Sequence, residues 1–348
     1  MSDCNPPTNI ARRVFIPTVL QQLDALPEDA DYFVTHGLSM GTSWNVKAML
    51  PARFDRVQLH AELQAKLDLV VQQMSPWLEQ SNLMQFNLAP AQTWHVIPNE
   101  FDHVLSHAIF VAEQTTGAFD PTIGHLSNLW GFGPNGKIAE RPDDTEIQQA
   151  LQDSGWRRLQ YDHTKQRIFQ PGNLHIDLCS TAKGFGVDLL ARHLQTEGIV
   201  SYLVEVGGEL RGLGCKADGQ PWWVELEAPT SDIDAGRISD VVALHGLSIA
   251  TSGDYRRYFE QAGQRYSHTI DPRTGMPVQH GLAAVTVLHP ECMIADALAT
   301  AISVLGPDAG MRYAERLNVA ARLIVRENSG IQVHLSPALT AMLDEMND

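Results

Sequence analysis

The apolar residues of this chain change their spacing near residue 200, and no low-complexity linker marks the switch. Before it they recur mostly every three or four positions. Val57, Leu59, Leu63, Leu67, Val70 and Val71 predict a helix over 55–74, and Phe101, Val104, Leu105, Ala108 and Val111 another over 98–115, stopped by Gly117. Further helices are expected over 143–154 and 183–196, with a short strand over 46–50 after a turn at Gly41. Beyond residue 200 the pattern predicts strands over 202–206, 222–226, 241–244, 248–251, 266–270 and 284–288. A helix over 292–305 ending at Gly306-Pro307, a helix over 308–316, and strands near 320–325 and 330–334 complete the reading. Two kinds of pattern without a boundary between them must share one core. The expected fold class is therefore α+β, a single compact domain and not a parallel doubly wound sheet. Residues 1–35 read as an irregular or weakly helical lead, and 36–340 as the functional domain.

Charge narrows the function. There are 41 acidic and 25 basic residues, a net charge of -16, and no run of Lys or Arg. Such a surface repels nucleic-acid phosphates. If the protein binds a phosphorylated ligand it needs a local cation, which directs attention to carboxylates placed as metal ligands. Cys4, Cys179, Cys215 and Cys292 form no C-x-x-C pair and lie at no zinc spacing. No stretch of about 18 apolar residues is present to span a membrane. The polar start, Met1 to Arg13, shows no apolar signal stretch, which predicts a cytoplasmic protein.

Four segments are candidates for chemistry. In Ala295-Asp-Ala-Leu-Ala-Thr-Ala301, Asp296 and Thr300 are four apart and share a helix face. A carboxylate and a hydroxyl are hard oxygen ligands suited to Mg²⁺. The plainer reading is a buried helix, with Asp296 capping its first turn and Thr300 bonded back to a preceding carbonyl. In the 265–275 segment His268 rides a strand into a turn built on Asp271-Pro272 and Gly275. It is either a general base or a satisfied core histidine. In the 175–186 segment a strand should end and a helix begin near Lys183. Ser180 and Thr181 are placed to cap it, with free N–H groups and Lys183 favouring an anion, or it is an ordinary helix start. The Walker spacing is absent. Glycine-rich stretches at 117–124, 130–134, 206–209 and 251–254 mark close backbone approaches or ordinary turns, and no Rossmann fingerprint occurs.

Read together, eight stretches in order resemble the FAD:protein FMN transferase family, the ApbE-like flavin transferases. They are MGTSWNV (40–46), GAFDPTIG (117–124), NLWGFGP (128–134), DLCSTAKGFGVD (177–188), VEVGGEL (204–210), ATSGDYRRYFE (250–260), RYSHTIDPRTGMP (265–277) and ADALATA (295–301). The resemblance implies a compact α+β fold related to the tunnelling fold. It also implies a Mg²⁺-dependent transfer of FMN from FAD to a Thr or Ser of an acceptor flavoprotein, with AMP released. Some relatives hydrolyse FAD instead, and a non-catalytic FAD-binding protein is a third possibility. By the same resemblance Asp296, Thr300 and an oxygen near Ser180 hold the metal. Met40, Trp77, Ala118, Phe119, Asp120, Asp177 and Lys183 line the FAD site, and His268 is the base. Cys179 departs from the family's usual Ser or Gly, and SNLMQFN (81–87) from its more serine-rich, charged counterpart. Many members are exported lipoproteins; no lipobox is found here, so the expected acceptor faces the cytoplasm.

Overall fold

At Met40 and Gly41 the backbone takes φ of +51° and +70°, the pair of left-handed conformations that a tight hairpin turn demands. This turn joins two nine-residue strands at the edge of the main sheet. The computed structural model describes residues 11–344 except 20–21, 23–24, 228–237, 255–257, 262 and 328–329. Tyr255, Arg256 and Arg257 of the 250–260 stretch, and Cys4, therefore lie outside the described residues. In chain order the first half contains β1 (Ala11–Phe15), β2 (Asp31–Ser39), β3 (Thr42–Leu50), α1 (Arg56–Met74), α2 (Asn82–Asn87), β4 (Thr93–Val96) and α3 (Asn99–Gln114). It continues through α4 (Gly124–Leu129), α5 (Asp144–Asp153), β5 (Gln160–Asp162), β6 (Arg167–Gln170) and α6 (Ala182–Thr196). The second half has β7 (Tyr202–Val206), β8 (Glu209–Leu213), β9 (Trp222–Glu225), β10 (Ile238–Leu244), β11 (Leu247–Gly253), β12 (Tyr258–Gln261), β13 (Gln264–Ser267), β14 (Ile270–Asp271) and β15 (Met276–Pro277). Then follow β16 (Leu282–His289), α7 (Cys292–Leu305), α8 (Pro307–Arg316), β17 (Ala320–Glu327), β18 (Gly330–Leu335) and α9 (Pro337–Thr340).

Eight strands form one antiparallel sheet in the order β18-β17-β16-β11-β8-β7-β3-β2. Helices α1, α6 and α7 cover one face, where Val46, Ala48, Val204 and Val206 meet Leu63, Leu67, Val187 and Leu190. The small sheet β1-β10-β9 covers part of the other, burying Phe15, Met49, Leu203, Trp222 and Val242. Central strands covered on both faces read as apolar runs and not as alternations, which is why β16 is buried through seven of its eight residues. This is the mixed α+β single domain that the sequence predicts.

The lead is not irregular where it is described. Ala11–Phe15 pairs in parallel with β10, and β2 starts at Asp31, so a boundary at 35/36 would cut a strand. The β2 signal is faint because only Phe33 and Thr35 are buried along it, while Tyr32, Val34 and Leu38 are exposed. The strand predicted before Lys183 is also absent: residues 174–178 are held by side-chain amides and by the backbone of Pro121 and Gly124 in place of a neighbouring strand. Asn87 donates to the Ile176 carbonyl (2.9 Å) and accepts its N–H (2.8 Å), and Gln170 does the same for Leu174 (3.0 Å each). The predicted strand over 266–270 breaks into β13 and β14, leaving His268 and Thr269 in a bend.

Helices α6 and α7 touch at Gly184. A Cβ there would lie 2.7 Å from the Cys292 carbonyl carbon and 2.8 Å from Met293 Cα, so no side chain fits. Gly184→Ala is expected to push the helices apart and cost about 1–3 kcal/mol of stability. Chemical denaturation checks this, and an unchanged midpoint would show that the helices yield freely.

Candidate active site

The start of α6 lacks a side-chain cap of its own. The Thr181 hydroxyl, expected to serve, donates to the Leu178 carbonyl (3.0 Å) and leaves the helix N–H groups alone. Asp296 of α7 supplies the missing acceptor: Gly184 N–H donates to its Oδ2 at 3.0 Å. The favour is returned, because Asp188 of α6 accepts from Cys292 N–H (3.0 Å) and Met293 N–H (2.9 Å) at the start of α7. Asp296 therefore caps a helix, but not the one it belongs to. Thr300 likewise does not bond back along α7; its hydroxyl meets Ser252 Oγ at 3.1 Å, near the end of β11.

Around Asp296 the charges are unevenly matched. Lys183, the second residue of α6, pairs with Glu209 at the start of β8. Asp296 is 4% exposed and Glu209 3%. Burial pushes both carboxyls above their ordinary range, and the nearby Lys183 ammonium opposes the rise. Two buried carboxylates thus share one ammonium. Glu209 Oε2 has no hydrogen-bond partner among the described residues. Asp296 spends only Oδ2 on Gly184 N–H and is only partly neutralised by Lys183, and a buried carboxylate in that state fits a divalent cation. Among the described residues no three His, Cys, Asp or Glu side chains gather as a metal-binding group. A cation here would draw on Asp296, the Thr300 hydroxyl and oxygens of the turn holding Ser180.

Lys183 also lines a cleft of about 720 Å³ together with Met40, Met74, Trp77, Cys179 and Gly207. Its walls are mostly aliphatic with few polar groups, the usual character of a small-molecule site. Met40 reaches it from the hairpin turn, and its left-handed φ is costly for a bulky residue, a strain that clusters at functional sites. Trp77 is 54% exposed and borders a second cleft of about 470 Å³, lined by Asp177, Asn128, His125 and His175 among others. Four expected ligand residues, Met40, Trp77, Asp177 and Lys183, thus line two clefts that meet at Trp77.

The rest of the expected set lies elsewhere. Ala118 and Phe119 are buried in the core. Asp120 is consumed internally: it accepts from Thr122 N–H (2.8 Å), the Thr122 hydroxyl (2.6 Å) and Trp156 N–H (2.9 Å). Its side chain ties the turn at Thr122 to Trp156 and is not among the residues lining either cleft. His268 sits edge-on to Phe132 at 6.2 Å between ring centres, and the Trp130 indole donates to the Gly275 carbonyl at 2.7 Å. The 128–134 and 265–277 stretches are thereby one unit. Glu209 was given no role by the sequence; its one signal was a carboxylate at the inward position that opens a strand.

His125 and His175 stack face to face, 3.7 Å between centres, on the wall of the second cleft. Burial first, then the neighbouring His125, holds His175 down to about 4 from an ordinary 6.5. The unfolded chain therefore takes up this proton near pH 6.5 and the folded chain does not, so stability is lost as pH falls from 6.5 through about 4. The melting temperature should fall across that window, and His175→Phe should flatten part of the fall. A variant as steep as the parent would assign the acid sensitivity to other groups.

Fold and site define a single-domain α+β protein with an apolar cleft lined, at a helix start, by the lysine that pairs with a buried carboxylate. The chain belongs to the ApbE family, whose sequence model matches residues 40–323. It is 37% identical to the FAD:protein FMN transferase of Vibrio cholerae, over 89% of this chain and 92% of that one. It is 36% identical to the Haemophilus influenzae protein of the same name, over 92% and 94%. Among solved structures it is similar to the Pseudomonas stutzeri flavinyl transferase ApbE in its apo form, with TM-score 0.83 at 37% identity, covering 90% of this chain and 97% of that one. The Vibrio cholerae flavin transferase ApbE gives TM-score 0.84 at 35% identity, over 90% and 100%. Among the described residues no helix is long and apolar enough to cross a membrane.

Proposed function

We propose that this protein transfers FMN from FAD to a Thr or Ser hydroxyl of an acceptor flavoprotein, releasing AMP, in a magnesium-dependent reaction. One observation carries the reading: the cleft lined by Met40, Trp77 and Lys183 adjoins the buried Asp296–Glu209 cluster, in a chain more than a third identical to proteins named for this transfer. The isoalloxazine packs against Trp77 and the aliphatic wall, and Lys183 meets the pyrophosphate. Asp296, Thr300 and an oxygen near Ser180 hold Mg²⁺, which when bound offsets charge on the phosphate oxygens. His268 takes the proton from the acceptor hydroxyl. That oxygen attacks the FMN-side phosphorus, the bond to the AMP phosphate breaks, and AMP leaves with the electron pair. Asp296 keeps one oxygen on Gly184 N–H, which fixes its position for the other task.

The test is incubation of the protein with FAD, Mg²⁺ and a flavoprotein acceptor. Covalently bound FMN and an equal amount of AMP are expected. Finding neither with any divalent metal would reject the reading, and free FMN without an acceptor would mark a pyrophosphatase instead.

A further inference from the structure

Lys183 lies near two carboxylates and is paired with one. Among the described residues its ion pair is with Glu209, although the charge of Asp296 also favours the ammonium. Asp296 holds Gly184 N–H on Oδ2, and its Oδ1 accepts no hydrogen bond among the described residues. The hydrogen bond from Gly184 N–H at 3.0 Å sets the adjoining Lys183 beside this carboxylate, within reach of its charge. A lysine is a compact charge on a flexible four-carbon stem. Left alone beside a buried carboxylate, it would close on it, since an uncompensated buried charge is expensive. Glu209 enters from a different element, β8, and takes the ammonium first.

We infer that Glu209 is a positioning residue: by holding Lys183 it leaves Asp296 Oδ1 open to a divalent cation. Removing its charge releases Lys183 onto Asp296, where the ammonium occupies the cation's place. The inference rests on the reading of Asp296 as a metal ligand, and the two fail in different ways.

The experiment is Mn²⁺ binding to the full chain without FAD, followed by calorimetry and electron paramagnetic resonance, with thermal unfolding recorded for each variant. Glu209→Gln should weaken Mn²⁺ binding about tenfold or more, a loss equivalent to about 1.4 kcal/mol. The double variant Glu209→Gln, Lys183→Met should recover it, because no ammonium is left to compete. Lys183→Met alone should bind Mn²⁺ at least as tightly as the parent, a readout available even if Glu209→Gln does not fold. Parent-like binding by Glu209→Gln overturns the inference, and so does weaker binding by Lys183→Met. A double variant as weak as Glu209→Gln would make Glu209 a ligand in its own right and also overturn it. If the parent itself binds no Mn²⁺, the metal reading of Asp296 falls, and this inference with it.

Discussion

Asp296→Asn is expected to lower FMN transfer by about a thousandfold, the scale of several kcal/mol of lost charge stabilisation at phosphorus, while the protein stays folded. The reason lies in the two oxygens of the side chain. Oδ2 accepts the Gly184 N–H at 3.0 Å, a duty that an amide oxygen also performs. The negative charge that would bind a cation is what the amide lacks. Asp296→Ala removes both, so it should lose activity and also about 1 kcal/mol of stability through the uncapped helix. Excess Mg²⁺ should restore only part of either loss. The measurements are AMP release and covalent flavin in the acceptor, beside denaturation curves. Full activity in Asp296→Asn would end the metal assignment.

His268→Ala is expected to reduce turnover by about 10²- to 10⁴-fold, the usual contribution of a general base, with little change in FAD affinity. His268 lies in the bend after β13, against Phe132, and is not among the residues lining the first cleft. It should therefore affect the acceptor's proton more than the flavin's binding. A merely structural histidine would show the opposite: lower stability, weaker substrate binding and an unchanged pH–rate profile. If the profile of the variant keeps the acidic limb of the parent, the base lies elsewhere.

What could be read beforehand followed the range of the interactions involved. Helices α1, α3 and α7 were legible because their apolar residues repeat within a few positions, and α7 keeps its predicted bounds of 292–305. The lead strand β1 was not, because its partner β10 lies 227 residues away, as in the Arg13–Asp240 pair. Leu174, Ile176 and Leu178 alternate as a strand would and are buried as a strand would be. The amides of Asn87 and Gln170 and the backbone of Pro121 and Gly124 hold this stretch instead of a neighbouring strand, and no local pattern reveals them. At the site, spacing put Asp296 and Thr300 on one face, but not their partners. Gly184 is 112 residues from Asp296 and Ser252 is 48 from Thr300. Glu209 went unnoticed for the same reason, since its meaning depends on Lys183.

The crossed caps of α6 and α7 have a bearing on biosynthesis. A chain emerging from the ribosome exposes the cleft-lining start of α6, with Lys183, more than a hundred residues before Asp296 is made. Until then the first turn of α6 has only water to accept its Gly184 N–H, and Lys183 has no carboxylate from α7 beside it. The start of α6 is thus secured only when the C-terminal third docks, and Asp296 joins Lys183 and Glu209 in that same event.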